Sequence, residues 1–429
     1  MRNDLGGTML VIGSAGGVGR RVCAEVARQC NSHALVLGDY RQERAESQAN
    51  SHPGATVRRV DLRDSACLES VLDPALSAVI VCSRQDRPEV QRICVERGIP
   101  CLAVTIEPEF IAEVHSLDSR ARETGTPLLT MAGMWPGLSG LMAARAAGML
   151  DRVERIDLAL CQSTQSQVGP EGIADMMGSF AKPVVERGGG RVRQVPGFSV
   201  KRQIAYPEPF GTRSHRLVDF VERGVLAEAL GVAEVRTWTG FDSAAFQALV
   251  SLLRRAGLLG LFRREGTGLR LARFVNAMKG LGPSGPEPVA VVAEARGDLG
   301  GRAQEVRLSL QGPSDYGVTA MSAVAMARLL RDRADAAGAG HPLRIFDLGE
   351  VIEAIGHSEL KLSEFLRPMC AEMNGPGGET CARVASILGS TGTGPRGVPS
   401  PEPCSLRSRS RPRRRATTGT SRPRCTERH

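Results

Sequence analysis

Residues 9–23 read MLVIGSAGGVGRRVC, an apolar run that breaks into four glycines within seven residues and then an arginine pair. The run from Met9 to Ile12 is short and unbroken, the pattern of a strand buried on both faces. Beyond it, VGRRVCAEVARQC places apolar residues at helical spacing, so the stretch predicts strand, loop, helix. Gly13, Gly16 and Gly19 stand at three-residue intervals with Gly17 extra. At such a junction glycine allows a tight turn, lets backbone approach a diphosphate, and lets helix pack close on strand. The helix start adds unpaired amides and the positive end of its dipole. Arg20 and Arg21 sit just inside that helix, where a cation is slightly unfavourable unless an anion is near. The junction therefore predicts a dinucleotide site over Gly13, Ser14, Ala15, Gly16, Gly17, Val18 and Gly19.

Working outward, the first 130 residues alternate two periods. HALVLGDY, TVRRVDL, SAVIVCS, IPCLAVT and PLLTMAG read as strands. RQERAESQANS, ACLESVLDPAL, EVQRICVERG and EFIAEVHSLDSRARETG read as helices between them. Strict alternation with short connections predicts an α/β, doubly wound parallel sheet of the Rossmann type. Ligands of such sheets bind at the carboxyl ends of the strands, which selects further candidates. Asp39 ends the second strand twenty residues after Gly19, where a carboxylate can accept from ribose hydroxyls. Tyr40 lies beside it, and Arg41 is placed to take a 2′-phosphate instead. Asp39 points to NAD and Arg41 to NADP, so the cofactor reads as NAD(P). Asp61 and Leu62, after the third strand, approach the adenine edge. Cys82 and Ser83, after the fourth, line the path toward the nicotinamide. Pro136 is expected as the first residue of a helix, with the turn at Gly137 offering N–H donors.

After Met149 the rhythm changes to long antiparallel-looking strands and helices, an α+β second domain. ERGGGRVRQV reads as a hairpin turn, since no strand–loop–helix surrounds its glycines. The expected domains are residues 1–148, binding NAD(P); 149–315, for substrate and dimerisation; 316–385, helices returning to the first domain; and 386–429, a disordered basic tail. That tail explains the net charge of +9, because residues 396–429 hold ten arginines against two glutamates. The body is close to neutral, so no nucleic-acid partner is expected. Eleven cysteines form no CxxC pair, are odd in number and mostly lie in apolar runs, which predicts reduced thiols and no metal. No run of 18 apolar residues occurs, and MRNDLGGTML is too short and polar for a signal peptide. A cytoplasmic protein without a membrane partner is expected, with LLRRAGLLGLFRR assigned to core or dimer packing.

The glycine-rich junction, the SAVIVCS…VQRICVERGIPCLAVT segment and AGMWPGLSGLMAARAA together resemble the saccharopine dehydrogenase-like (saccharopine reductase) family. Gly133-Met134-Trp135-Pro136-Gly137-Leu138 and YPEPFGTRSHRLVDF, Tyr206 to Phe220, match family segments. Trp135 departs from the family's usual Asp or Asn, and CSRQD from its usual AGP. The resemblance implies nicotinamide-dependent chemistry, most often at a carbon–nitrogen bond of an amino-acid adduct. Arg213 is then the candidate carboxylate clamp, since a guanidinium binds carboxylate bidentately, and His215 the candidate proton donor. Two alternatives stay open: reduction of a carbon–carbon double bond in a lipid or secondary-metabolite pathway, and a dinucleotide-binding sensor without turnover. A small-molecule substrate and a possible homodimer complete the expectation.

Overall fold

A computed structural model describes residues 7–368, apart from 31, 167, 189–190, 265, 280–284 and 332, together with 385–386. The expected tail, 386–429, lies outside the described residues except for its first position.

The alternating half folds as β1 (Thr8–Ile12), α1 (Gly17–Gln29), β2 (Leu35–Asp39), α2 (Gln42–Ala49), β3 (Thr56–Arg59), α3 (Ser65–Val71), β4 (Leu76–Val81), α4 (Glu89–Arg97), β5 (Cys101–Ala103), α5 (Pro108–His115), α6 (Asp118–Glu123) and β6 (Pro127–Leu129). The expected single helix over residues 109–125 is thus two, α5 and α6. Strand order from one edge is β3-β2-β1-β4-β5-β6, and every pair is parallel. The order reverses between β1 and β4, and the crevice beyond such a reversal is where these sheets bind ligands. Alternation decides the two cores. Met9 and Val11 of β1 face one hydrophobic cluster, Leu10 and Ile12 the other.

The chain continues through α7 (Leu138–Ala147), β7 (Arg152–Gln162), α8 (Pro170–Phe180), the hairpin β8 (Val184–Gly188) and β9 (Arg191–Val195), β10 (Lys201–Ala205), β11 (Thr212–Val218), α9 (Glu222–Leu230), β12 (Glu234–Phe241), α10 (Ala244–Arg255), α11 (Thr267–Lys279), β13 (Val289–Leu299) and β14 (Arg302–Gly312). β8 pairs antiparallel with β9; the triple glycine expected to turn between them lies, in its last two residues, outside the described residues. Pro196 and Gly197 separate β9 from β10, and a Cβ on Gly197 would lie 2.2 Å from the Lys182 carbonyl oxygen.

The last described part is α12 (Asp315–Arg331), β15 (Gly338–Gly340), α13 (Leu348–Ile355), β16 (Lys361–Pro368) and the two-residue β17 (Ala385–Ser386). It is not helical throughout. β15 pairs with β6 as a seventh parallel strand, and β16 pairs with β14. The second sheet runs β10-β11-β12-β7-β13-β14-β16-β17, mixed because β12 and β7 are parallel. Its inner face, with Ile156, Leu158, Leu160, Val291 and Leu308, shares one core with α7, α12 and the first sheet. Its outer face carries Cys161, Tyr206, Leu217 and Trp238. α12 is the common wall: its residues from Val318 to Ala327 are buried all round, between α1 and the second sheet. Small side chains there, Ala320, Ala323, Ala325 and Ala327, let both neighbours approach.

Candidate active site: a glycine cradle and an adjoining cavity

Two glycines of the opening stretch, Gly13 and Gly19, have no room for a side chain. Gly13 has φ +79°, and a Cβ on it would lie 2.0 Å from Ser83 Oγ. On Gly19 a Cβ would lie 2.0 Å from the Gly13 carbonyl oxygen, so any larger residue would push α1 off β1. Gly16 is the N-cap of α1 and brings no side chain to cap it. Gly17, Val18 and Gly19, the first residues of the helix, then have amides without an intrahelical acceptor. Ser14 is fully buried, and its amide and that of Gly13 bond the Gly38 carbonyl at 3.0 and 2.8 Å. Bare amides in a row at a helix start, with nothing projecting over them, fit a diphosphate.

Asp39 is 7% exposed and holds the loop as well as facing the crevice. Its Oδ2 accepts from the Ala15 amide at 3.2 Å, its Oδ1 from the Arg41 amide at 3.1 Å. An ionised carboxylate has about four acceptor sites, so room remains for a hydroxyl donor. Arg44, which sequence reading passed over, donates to the Ala15 carbonyl at 2.8 Å. Tyr40 is 62% exposed with the Arg59 guanidinium over its ring, and Arg59 pairs with Asp61 at 3.2 Å. Arg41 is exposed and caps α2, and Leu62 is half-buried beside Asp61. Cys82 follows β4, and burial pushes its thiol up to about 12, which leaves it inert as a nucleophile. Arg21 belongs to the frame: it donates to the Gly17 carbonyl, reaches Glu287 at 3.4 Å, and lies over the Tyr316 ring.

The turn before α7 departs from expectation. The helix starts at Leu138 with Gly137 as N-cap, so Pro136 precedes it by two residues, after a cis Trp135–Pro136 bond. The Gly137 amide donates to Glu222 Oε1 at 2.8 Å, and the Ser139 hydroxyl to Oε2 at 2.6 Å. That amide is committed inside the protein and serves no ligand. Glu222 is 1% exposed, and burial raises its carboxyl to about 7.

Of Arg213 and His215, it is His215 that departs from expectation. Both lie on β11, where His215 sits opposite Gly240 of β12 and Leu217 opposite Trp238. The three share the outer face of the second sheet. His215 is wholly buried; Tyr206 Oη lies 2.7 Å from its Nε2, the Arg213 carbonyl 3.2 Å from its Nδ1, and burial holds it down to about 4. It is a packed, neutral core histidine.

The crevice itself is closed by other residues. Arg84, after β4, reaches Asp175 of α8 at 3.8 Å. Gln162, ending β7, donates to Asp315 at the start of α12 at 2.9 Å. Burial raises the Asp315 carboxyl, and it raises the Tyr316 hydroxyl to about 12. Beside this pair a small cavity of ≈ 20 Å³, room for about one water, lies between α8, α10, α11 and the ends of β7 and β12. Gln162, Ser163 and Thr164 form its polar end; Ile173, Met176, Met177, Phe241, Phe246 and Val275 form its body. Asp242 fixes the polar end, taking the Ser163 hydroxyl at 2.8 Å and both the Thr164 amide and hydroxyl at 2.8 and 2.9 Å. No charged side chain is among its described lining residues. Phe241 belongs to the opposite strand face from Gly240, so Arg213 and His215 point away from the cavity. No metal-binding cluster occurs among the described residues.

The strand order, the glycine cradle and the adjoining mixed sheet define a Rossmann-type α/β protein with a second, mixed-sheet lobe. Solved structures similar to it include apo saccharopine dehydrogenase (L-Glu forming) from Saccharomyces cerevisiae, at TM-score 0.61 and 12% identity over 84% of this chain and 100% of that one. The homospermidine synthase of Legionella pneumophila in complex with NAD is similar at TM-score 0.54 and 11% identity, over 82% of this chain and 89% of that one. At these identities the likeness is one of fold. No protein-family model and no curated protein sequence matches the chain.

Proposed function

We propose that the chain is an NAD(P)-dependent oxidoreductase acting on a small substrate. The observation that carries the proposal is the cradle: three amides at the start of α1, with glycine wherever a Cβ would collide. Gly17, Val18 and Gly19 would hold the diphosphate, Asp39 the ribose, and Tyr40 with Arg59 and Asp61 the adenine side. When bound, a nicotinamide supplies hydride transfer. The chain's own contribution is orientation and a proton. Asp315 is the group suited to hold that proton, since burial favours its neutral form and Gln162 orients it.

The family resemblance supports a carbon–nitrogen bond as the reacting bond. Its fold neighbours bear the names of a saccharopine dehydrogenase and a homospermidine synthase held with NAD. One observation favours the second reading, reduction of a carbon–carbon double bond: the described lining of the cavity is mostly apolar and includes no charged side chain. The test is titration calorimetry with NADH and NADPH, then a screen of keto-acid and amine pairs against enoyl substrates. Micromolar binding of either nucleotide is expected, lost in Gly19→Val. No heat with either nucleotide would refute the reading.

A further inference from the structure

The helices that wall the cavity have a second, outward face. α10 buries Gln247 and Val250 and turns Leu249 and Leu252 outward, 50% and 61% exposed. α11 buries Ala272 and turns out Phe274, 66% exposed, beside Arg270 and Arg273. Leu258, in the 3-10 turn Leu258–Arg263 packed against both helices, is 43% exposed. Of LLRRAGLLGLFRR, expected in core or dimer packing, Leu259 and Phe262 are buried in the core, while Leu252 and Leu258 are exposed in the single chain. Single exposed leucines are ordinary; α10, α11 and the 3-10 turn packed against both carry four large exposed apolar side chains between them.

The charge of the cap is as one-sided. Residues 244–279 contain six arginines and one lysine against a single acid, Glu265. Ion pairs of the second lobe fall elsewhere, such as Arg155–Asp157, Arg236–Glu234 and Arg296–Glu305. Among the described residues none involves Arg254, Arg255, Arg263, Arg264, Arg270 or Arg273. Arg254 and Arg255 also crowd Arg216 of β11, cation against cation.

We propose that this cap docks on an anionic lipid surface, its leucines and Phe274 entering the headgroup region and its arginines meeting lipid phosphates. Apolar residues at helical spacing flanked by arginine are the pattern of a helix lying in that interface. A second copy of the chain fits poorly, because a two-fold contact would set this unopposed positive face against itself. Nucleic acid gives no account of outward leucines. No helix among the described residues is long and apolar enough to cross a membrane, so the contact is peripheral. Phe246 and Val275, on the same two helices, line the cavity. An apolar molecule dissolved in the lipid would thus lie about one helix diameter, ~10 Å, from it. This inference stands without the dinucleotide reading.

The test is co-sedimentation of the full-length chain with phosphatidylglycerol vesicles and with phosphatidylcholine vesicles. Binding is expected to the first, weakened by 0.5 M salt, and at least tenfold weaker in the Leu252→Gln, Phe274→Gln double variant. That variant keeps every charge, including those of residues 396–429, and both side chains are exposed, so folding and NADH binding should match the parent. Equal binding by parent and variant would assign the attraction to the arginine-rich tail and overturn the proposal. So would no binding to phosphatidylglycerol, or a dimer that the double variant dissociates.

Discussion

Glu222→Gln offers the sharpest reading of the fold's interior. The Glu222 carboxyl sits wholly buried, accepting from the Gly137 amide and the Ser139 hydroxyl, with no cation beside it. Its pKa rises from 4.5 to about 7 because burial outweighs those donors. In the folded protein the group therefore keeps its proton between pH 4.5 and 7, where the unfolded chain has lost it. Its contribution to stability is intact at low pH and disappears as pH rises through that window. The full change is about 3 kcal/mol, or about 4 °C in melting midpoint for a chain of this size. Glutamine keeps the shape and the acceptor for Gly137, and the Ser139 hydroxyl can rotate to accept from its amide. His215 and His341, both held down to about 4 by burial, act in the opposite sense, losing stability as pH falls from 6.5 toward 4. They are present in both proteins and cancel in the difference. Melting midpoints of parent and variant across pH 5 to 8 should therefore diverge, the variant gaining most of those 4 °C relative to the parent by pH 8. A difference that stays flat over that range would refute the reasoning.

Two further outcomes follow from the geometry. Once the screen has found an acceptor, Arg213→Ala should leave its turnover within about twofold, and His215→Gln should cost stability without changing the pH profile; Asp315→Asn should abolish turnover or its pH dependence. Steady-state kinetics on the three variants decide this, and loss of activity in Arg213→Ala alone would restore the clamp. Asp39→Ala removes the acceptor for the Ala15 and Arg41 amides, at about 1.5–3 kcal/mol for each hydrogen bond to a charged group. Nucleotide affinity should fall at least tenfold by calorimetry, and an unchanged affinity would mean that Asp39 serves only the loop.

How much of this was legible in the residues varies with distance along the chain. The cradle was, because its glycines answer to atoms within a few residues: Gly19 to the Gly13 carbonyl, Gly13 to its own positive φ. The doubly wound sheet was, because alternating apolar runs and helical spacings are local patterns. β15 was not. Its sequence is Gly-Ala-Gly, with no periodicity to read, and it becomes a strand only because the edge of β6 offers it partners. Asp315 and Glu222 read as ordinary acids in the first turns of helices. Their buried surroundings are supplied by Gln162 and by Gly137 and Ser139, each far away in the chain. Arg213 and His215 stood in a promising motif, yet strand pairing turned both to the face away from the cavity.

By itself, then, the amino-acid sequence determined the first strand–loop–helix, the parallel sheet around it, and a likeness to one family of folds. Those are consequences of backbone and side-chain periods that act over a turn of helix or a pair of residues. Which carboxyl is buried, which amide is left unpaired and which wall carries apolar side chains were decided only by the tertiary structure. Desolvation and strand register depend on neighbours brought from far along the chain, and no local pattern encodes them.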